Sequence, residues 1–235
     1  MNVLFPSANS QKVAPLWNCH TMLDEGGIFV ATNPTVGTAI AMTSSVVDDA
    51  ATASSTHAQF APAAILYNNA SENSSTAVTI YPRCFTLGVV QVPTSATNWK
   101  FALRLDNLNR YSSGGSAITP VNPNPNSGQG TNAKLYFGAL VPTALPSSSS
   151  RLVAHGSLTS AIPVAGDQYV IAFGSSYSGM DMLSGGTAAK NLTMTVPPVA
   201  IPPGWSLSLE LWGTSNAAAA SFEFNFAWDE REAGL

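Results

Sequence analysis

Glu210 and Glu223 are the two side chains in this sequence best placed to do chemistry together. Each lies in a run that alternates polar and apolar residues, Ser206-Leu207-Ser208-Leu209-Glu210-Leu211 and Ser221-Phe222-Glu223-Phe224-Asn225-Phe226. If the two runs are neighbouring strands, both carboxylates sit on polar faces and can approach one another. Two carboxylates held close push one pKa upward and can act as the acid pair of a hydrolase, or they can bind Ca²⁺. The plainer expectation is that they face water or a partner's arginine.

The remaining polar chemistry is sparse. His20, His57 and His155 stand apart in sequence, and Cys19-His20 is a poor chelate because adjacent strand residues point to opposite faces. The acidic neighbours Asp24-Glu25, Asp48-Asp49 and Asp229-Glu230 read as solvated pairs. Gly174-Ser175-Ser176-Tyr177-Ser178-Gly179 does not match a nucleophile elbow, and no phosphate-binding loop is present. No catalytic residue, metal ligand or cofactor is therefore expected, and the chain reads as a non-enzyme. Trp99, Trp205 and Tyr177 are candidate glycan platforms, since an aromatic face packs on C–H-rich sugar faces. Core packing is the competing role for each tryptophan.

The elements that would position these residues are strands. Period-two alternation puts Leu207, Leu209 and Leu211 on one inner face and Phe222, Phe224 and Phe226 on another. The segment 213–220 between them predicts a closing antiparallel hairpin. Upstream, strands are expected within 21–32, 38–47, 64–67, 76–92, 98–111, 134–141, 151–158, 167–173 and 191–196. Pro82 implies an edge or a bulge in the fourth of these. Residues 112–132, rich in Gly, Pro, Asn and Ser, predict a long, weakly ordered loop, either an insertion or a contact element. Eight to eleven strands separated by turn-rich segments predict an all-β fold, a jelly-roll-like antiparallel β-sandwich with an extended N-terminal arm and long loops. The arm is residues 1–15, and 16–235 forms a single domain.

Composition narrows the function. Hydrophobic residues make up 45% of the 235, enough for a substantial core, while charged residues make up 9%. That is far below the roughly 25% of an average globular protein. A surface made neutral by Ser, Thr, Asn and Gln sits more comfortably inside an assembly than alone. Nine Lys plus Arg and a net charge of −4 argue against a nucleic-acid surface. The first residues lack the basic start and apolar core of a signal peptide, and no apolar run approaches the roughly 20 residues that span a membrane. Synthesis in a cytoplasm is expected, with Cys19 and Cys84 as buried thiols; the alternative is a disulfide between them, which spacing alone does not decide.

The closing stretch, Ile201-Pro202-Pro203-Gly204-Trp205-Ser206-Leu207, then Leu211-Trp212-Gly213, Ser221-Phe222-Glu223-Phe224 and Trp228-Asp229-Glu230-Arg231, resembles the C-terminus of small β-rich virion structural proteins of tailed bacteriophages. The resemblance covers about the last 40 residues together with overall composition, and it transfers no functional residues. It implies a capsid cement or decoration subunit, with other virion proteins as partners and a homo-oligomer, a trimer by preference, as its assembly. It implies the virion as location. The alternative is a carbohydrate- or receptor-binding module of a head fibre or tail.

Overall fold

The computed structural model describes residue 23 and residues 26–41, 62–71, 77–91, 99–143, 150–157, 163–174, 191–213 and 221–232. The expected arm, Cys19, His20, His57 and Tyr177 lie outside the described residues. The fold is an all-β sandwich of two six-stranded sheets. The first sheet contains β1 (Ile28–Thr32), β2 (Ile40–Ala41), β4 (Val78–Gln91), β9 (Gln168–Phe173), β10 (Asn191–Val196) and β12 (Ser221–Glu232). The second contains β3 (Pro62–Asn68), β5 (Trp99–Asp106), β6 (Tyr111–Ile118), β7 (Ala133–Pro142), β8 (Ser150–Ser157) and β11 (Ser206–Gly213).

The pairings are nested. β1 pairs with β12, β3 with β11, β4 with β9 and β5 with β8, all antiparallel. β12–β4 and β11–β5 contacts then complete the strand orders β1-β12-β4-β9-β10 and β6-β7-β3-β11-β5-β8. Eight strands paired from the outside inward form a rolled-up double Greek key, which is the jelly roll. The β6–β7 ribbon is inserted between β5 and β8, and β10 adds to β9 in parallel.

The expected closing hairpin is absent. β11 and β12 belong to different sheets and face each other across the core. Alternation fixes which face of a strand is buried, and two such faces can meet as layers as readily as side by side. Leu207, Leu209 and Leu211 line the second sheet's inner face, opposite Phe222, Phe224 and Phe226. Phe137 of β7 meets Phe224 across the layers at 4.0 Å between ring centroids, and Phe85 packs edge-on against Phe226 at 4.9 Å. Trp228, wholly buried, closes this aromatic row. Aromatic burial of this kind supplies much of a sandwich's hydrophobic stabilisation. The void bounded by Leu66, Phe85, Leu207 and Phe226 is about 10 Å³, at most the space of one water.

Pro82 sits at a bulge, as its missing N–H demands. Trp228 faces Pro82 and Ala227 faces Cys84, so Arg83 is the extra residue, and β9 does not reach past Cys84. At one corner the buried Asn68 joins the sheets. Its Nδ2 donates to the carbonyls of Val78 (2.7 Å) and Ile201 (2.9 Å), and its Oδ1 accepts from the N–H of Ala70.

The segment 112–132 also differs from expectation. Its first part is strand β6, and the rest is pinned. Val121 bridges to Val30 through paired backbone hydrogen bonds, and Asn122 donates to the Gly26 carbonyl. Asn122 and Asn124 each accept from a backbone N–H two residues on, two successive Asx turns. Glu230 then takes the N–H groups of Asn132 and Ala133, the hydroxyl of Thr131 and the indole N–H of Trp228.

Candidate functional site

The β6–β7 ribbon covers a place where four buried ionisable side chains converge, Arg104, Asp106, Arg110 and Glu210. β7 pairs with β3 only through Ala133–Phe137. At Gly138 (φ 117°) it leaves the sheet, and β6 breaks at Gly114 and Gly115 (φ 80° and 59°). These left-handed backbone conformations favour glycine. A Cβ on Gly115 would lie 2.7 Å from the Phe137 carbonyl oxygen, and one on Gly114 would lie 2.5 Å from that of Ala139. The ribbon therefore folds back on itself over the second sheet's outer face. Tyr111 pairs with Pro142 in the ladder, yet its ring stacks on Tyr136, 3.5 Å away between centroids and 4° from parallel. Leu140 turns inward and is buried, while Val141 is exposed.

Under this flap lies a buried ionic cluster. Residues opposite one another in the ladders share a face, so Ser206 aligns with Tyr67 and Asp106, and Ser208 with Ile65 and Arg104. All point away from the hydrophobic core, yet Ile65, Arg104, Asp106, Ser206, Ser208 and Glu210 are buried. Arg104 Nε lies 3.4 Å from Glu210 Oε1, and Arg104 Nη1 donates to Ser150 Oγ at 2.6 Å. Arg110, at the flap's base, places Nε 3.3 Å from Asp106 Oδ2 and donates to the Thr143 carbonyl. Its own carbonyl accepts from Thr143 N–H, and its N–H donates to Ser206 Oγ.

The electrostatics follow from burial. Loss of water raises the Glu210 pKa to about 7, against the opposing pull of Arg104 and Arg110. Burial raises the Asp106 pKa too, with Ser150, Arg110 and Arg104 pulling the other way. Ser150 is near enough to favour ionised Asp106, but neither Asp106 oxygen has hydrogen-bond geometry to any group. Burial lowers the Arg110 pKa, with Asp106 and Glu210 opposing. Two arginines and two carboxylates are balanced in formal charge but incompletely hydrogen-bonded: Arg104 Nη2, Arg110 Nε and Ser208 Oγ also have no hydrogen-bond partner.

Glu210 and Glu223 do not form the expected pair. Glu223, on the first sheet, accepts the Gly37 N–H at 2.6 Å in the β1–β2 turn. Asn33 completes that turn, accepting from Phe224 N–H at 2.7 Å and donating to the Thr38 carbonyl at 2.8 Å. At its tip Val36 is 96% exposed.

Of the candidate glycan platforms, Trp205 is half-buried against the core, with the Arg151 guanidinium 5.5 Å from its ring centroid. Trp99 opens β5 opposite Gly213, and its side chain lies outside the described residues, as does Tyr177. His155 is exposed on β8. Cys84 is a half-buried free thiol whose pKa burial pushes up, an inert setting. Asp229 is paired with Arg83 and Arg231. Among the described residues no three His, Cys, Asp or Glu side chains gather to hold a metal ion.

Comparison with protein families, curated proteins and solved structures gave no match.

Proposed function

We propose that this chain is a structural protein of a virus particle, a cement or decoration subunit that stabilises a shell through contacts between subunits. The observation that carries the reading is the distribution of charge. Among the described side chains, Arg104, Asp106, Arg110, Asp167, Glu210 and Asp229 are buried, and the only exposed charged ones are Arg83, Lys134 and Arg151. No described carboxylate is exposed. Among the described side chains, most charges are thus at least partly withdrawn from the surface. Among the described residues, what faces outward is mostly Ser, Thr, Asn, Gly and scattered valines. Depletion of charge is the compositional mark of surfaces that meet other proteins.

Two further features support it. The jelly roll is a frame that capsid proteins share with lectins, which is support by analogy of fold. The β1–β2 turn presents Val36 on a tip fixed by three side-chain hydrogen bonds, a preorganised apolar contact. The test is a deletion of residues 1–15 in the chain supplied to particles. Lower occupancy by cryo-electron microscopy with an unchanged circular dichroism spectrum supports the reading, and unchanged occupancy counts against the arm as a contact.

A further inference from the structure

We propose that the open edge of β10 is a contact between two copies of this chain, in which the two β10 strands pair antiparallel about a two-fold axis and join their first sheets into one. The strand orders end at β1 and β10 in the first sheet and at β6 and β8 in the second. An edge strand presents a row of unpaired N–H and C=O groups, a template for another chain. Folds blunt such edges with covering segments, bulges, bends or charge.

Three of the four edges are blunted. Val121 lies along β1 and exchanges backbone hydrogen bonds with Val30 in both directions, at 2.8 and 2.9 Å. β6 loses register with β7 twice, between Tyr111 and Ser113 and between Gly114 and Ser116, and bends at those glycines. β8 is bulged. Leu103 faces Ala154 and Arg104 faces Leu152, so Val153 is the extra residue, and the exposed Arg151 and His155 stand on either side of it. Among the described residues β10 carries none of these devices. It aligns with β9 one residue to one, from Asn191 opposite Gln168 to Val196 opposite Phe173, without a shift. The run Asn191-Leu192-Thr193-Met194-Thr195-Val196 contains no charge, no Gly and no Pro.

The pattern of β10 names its occupant. Met194 and Val196 pack toward the core, opposite Ile171 and Phe173 of β9. Thr193 and Thr195 alternate with them, Thr193 half-buried and Thr195 exposed. Residues directly opposite in an antiparallel pair share a face. A two-fold axis normal to the sheet keeps both hydrophobic cores on one side. It therefore sets threonines against the polar row of the second copy, and Met194 and Val196 against its apolar row. Threonine pairs and apolar pairs across strands are favourable, and no like charges meet. A patch complementary to itself is what a two-fold contact requires. The proposal stands apart from the virion reading, since it concerns the purified chain without any particle.

The experiment is sedimentation velocity of the full chain from about 1 to about 200 µM, a span that brackets contacts of modest affinity. A monomer–dimer equilibrium with its midpoint in that span is expected. Thr195→Lys puts a charge on the exposed edge and should weaken the dimer at least about tenfold, with a thermal midpoint within about 2 °C of wild type. Leu152→Lys, on the β8 edge, should leave the dimer intact. Amide hydrogen exchange at the two ends of the concentration range should show β10 peptides more protected at the higher one and β8 peptides unchanged, which decides the matter if Thr195→Lys fails to fold. A monomer at every concentration, an assembly of any other size, a dimer that Thr195→Lys weakens less than tenfold, or one that Leu152→Lys weakens as much, overturns the proposal.

Discussion

Arg104 and Glu210 are diagonal neighbours on β5 and β11, Nε to Oε1 at 3.4 Å, on the face of the sheet turned away from the hydrophobic core. Both are buried there. Removing one partner strands the other charge without compensation, whereas replacing both by apolar groups of similar volume removes the desolvation penalty with the attraction. Glu210→Leu, which leaves the Arg104 guanidinium buried without its partner, should therefore lower stability by about 3–5 kcal/mol. The double variant Arg104→Met with Glu210→Leu should recover most of that loss. Urea unfolding midpoints of the two single variants, the double variant and the wild type measure the coupling directly.

Glu210 also gives stability a pH dependence of stated sign. Its folded pKa, about 7, lies above the ordinary 4.5 of the unfolded chain. Between those values the native state holds more protons than the unfolded state, so unfolding free energy falls as pH rises. The contribution is intact below about pH 4.5 and gone above about pH 7, and is on the order of 3 kcal/mol. Asp106 shifts in the same direction. Denaturant midpoints should be higher at pH 5.5 than at pH 8.5, and Glu210→Gln should reduce the slope.

Much of the sandwich can be read from alternation, because period two reports which side of a strand is dry. Leu207, Leu209, Leu211, Phe222, Phe224 and Phe226 all face the core as that pattern requires. Alternation does not report a strand's neighbour, which is why β11 and β12 read as a hairpin and lie in opposing sheets. β6 is hidden for another reason. Ser112-Ser113-Gly114-Gly115-Ser116 carries no apolar rhythm, because the ribbon is bent by glycines and exposed where it folds. The ionic cluster is hidden by the same fold. Arg104, Asp106, Ser208 and Glu210 occupy the polar positions of their strands, and only the flap makes that face an interior. The four-residue spacing of Asp106 and Arg110 was the one local signal of their pairing.

The glycine at the fold of the ribbon is testable against a glycine with no such duty. Gly115→Ala must take a left-handed backbone conformation and place its Cβ against Leu140 and 2.7 Å from the Phe137 carbonyl oxygen. It should cost at least about 2 kcal/mol. Gly128→Ala meets nothing within 4 Å and has no left-handed φ, so it should fall within about 0.5 kcal/mol of wild type. Thermal melts of the two variants make the comparison.

Val36 separates stability from assembly. It is 96% exposed, on a turn held by Asn33 and Glu223. Val36→Asp should leave the thermal midpoint within about 2 °C of wild type, because a surface substitution of this kind seldom exceeds about 0.5 kcal/mol. If the turn meets a neighbouring subunit, the same change should reduce incorporation into particles at least tenfold, scored by quantitative blotting of gradient-purified particles.

The measurement closest to the central claim is sedimentation of the chain from the cells that make it, with each gradient fraction quantified by mass spectrometry. A subunit of a virus particle should appear in the fast-sedimenting peak at a fixed ratio to the major shell protein, and the ratio should persist through a second gradient. Recovery of the chain wholly as a slow monomer, with none in the particle peak, would contradict the account.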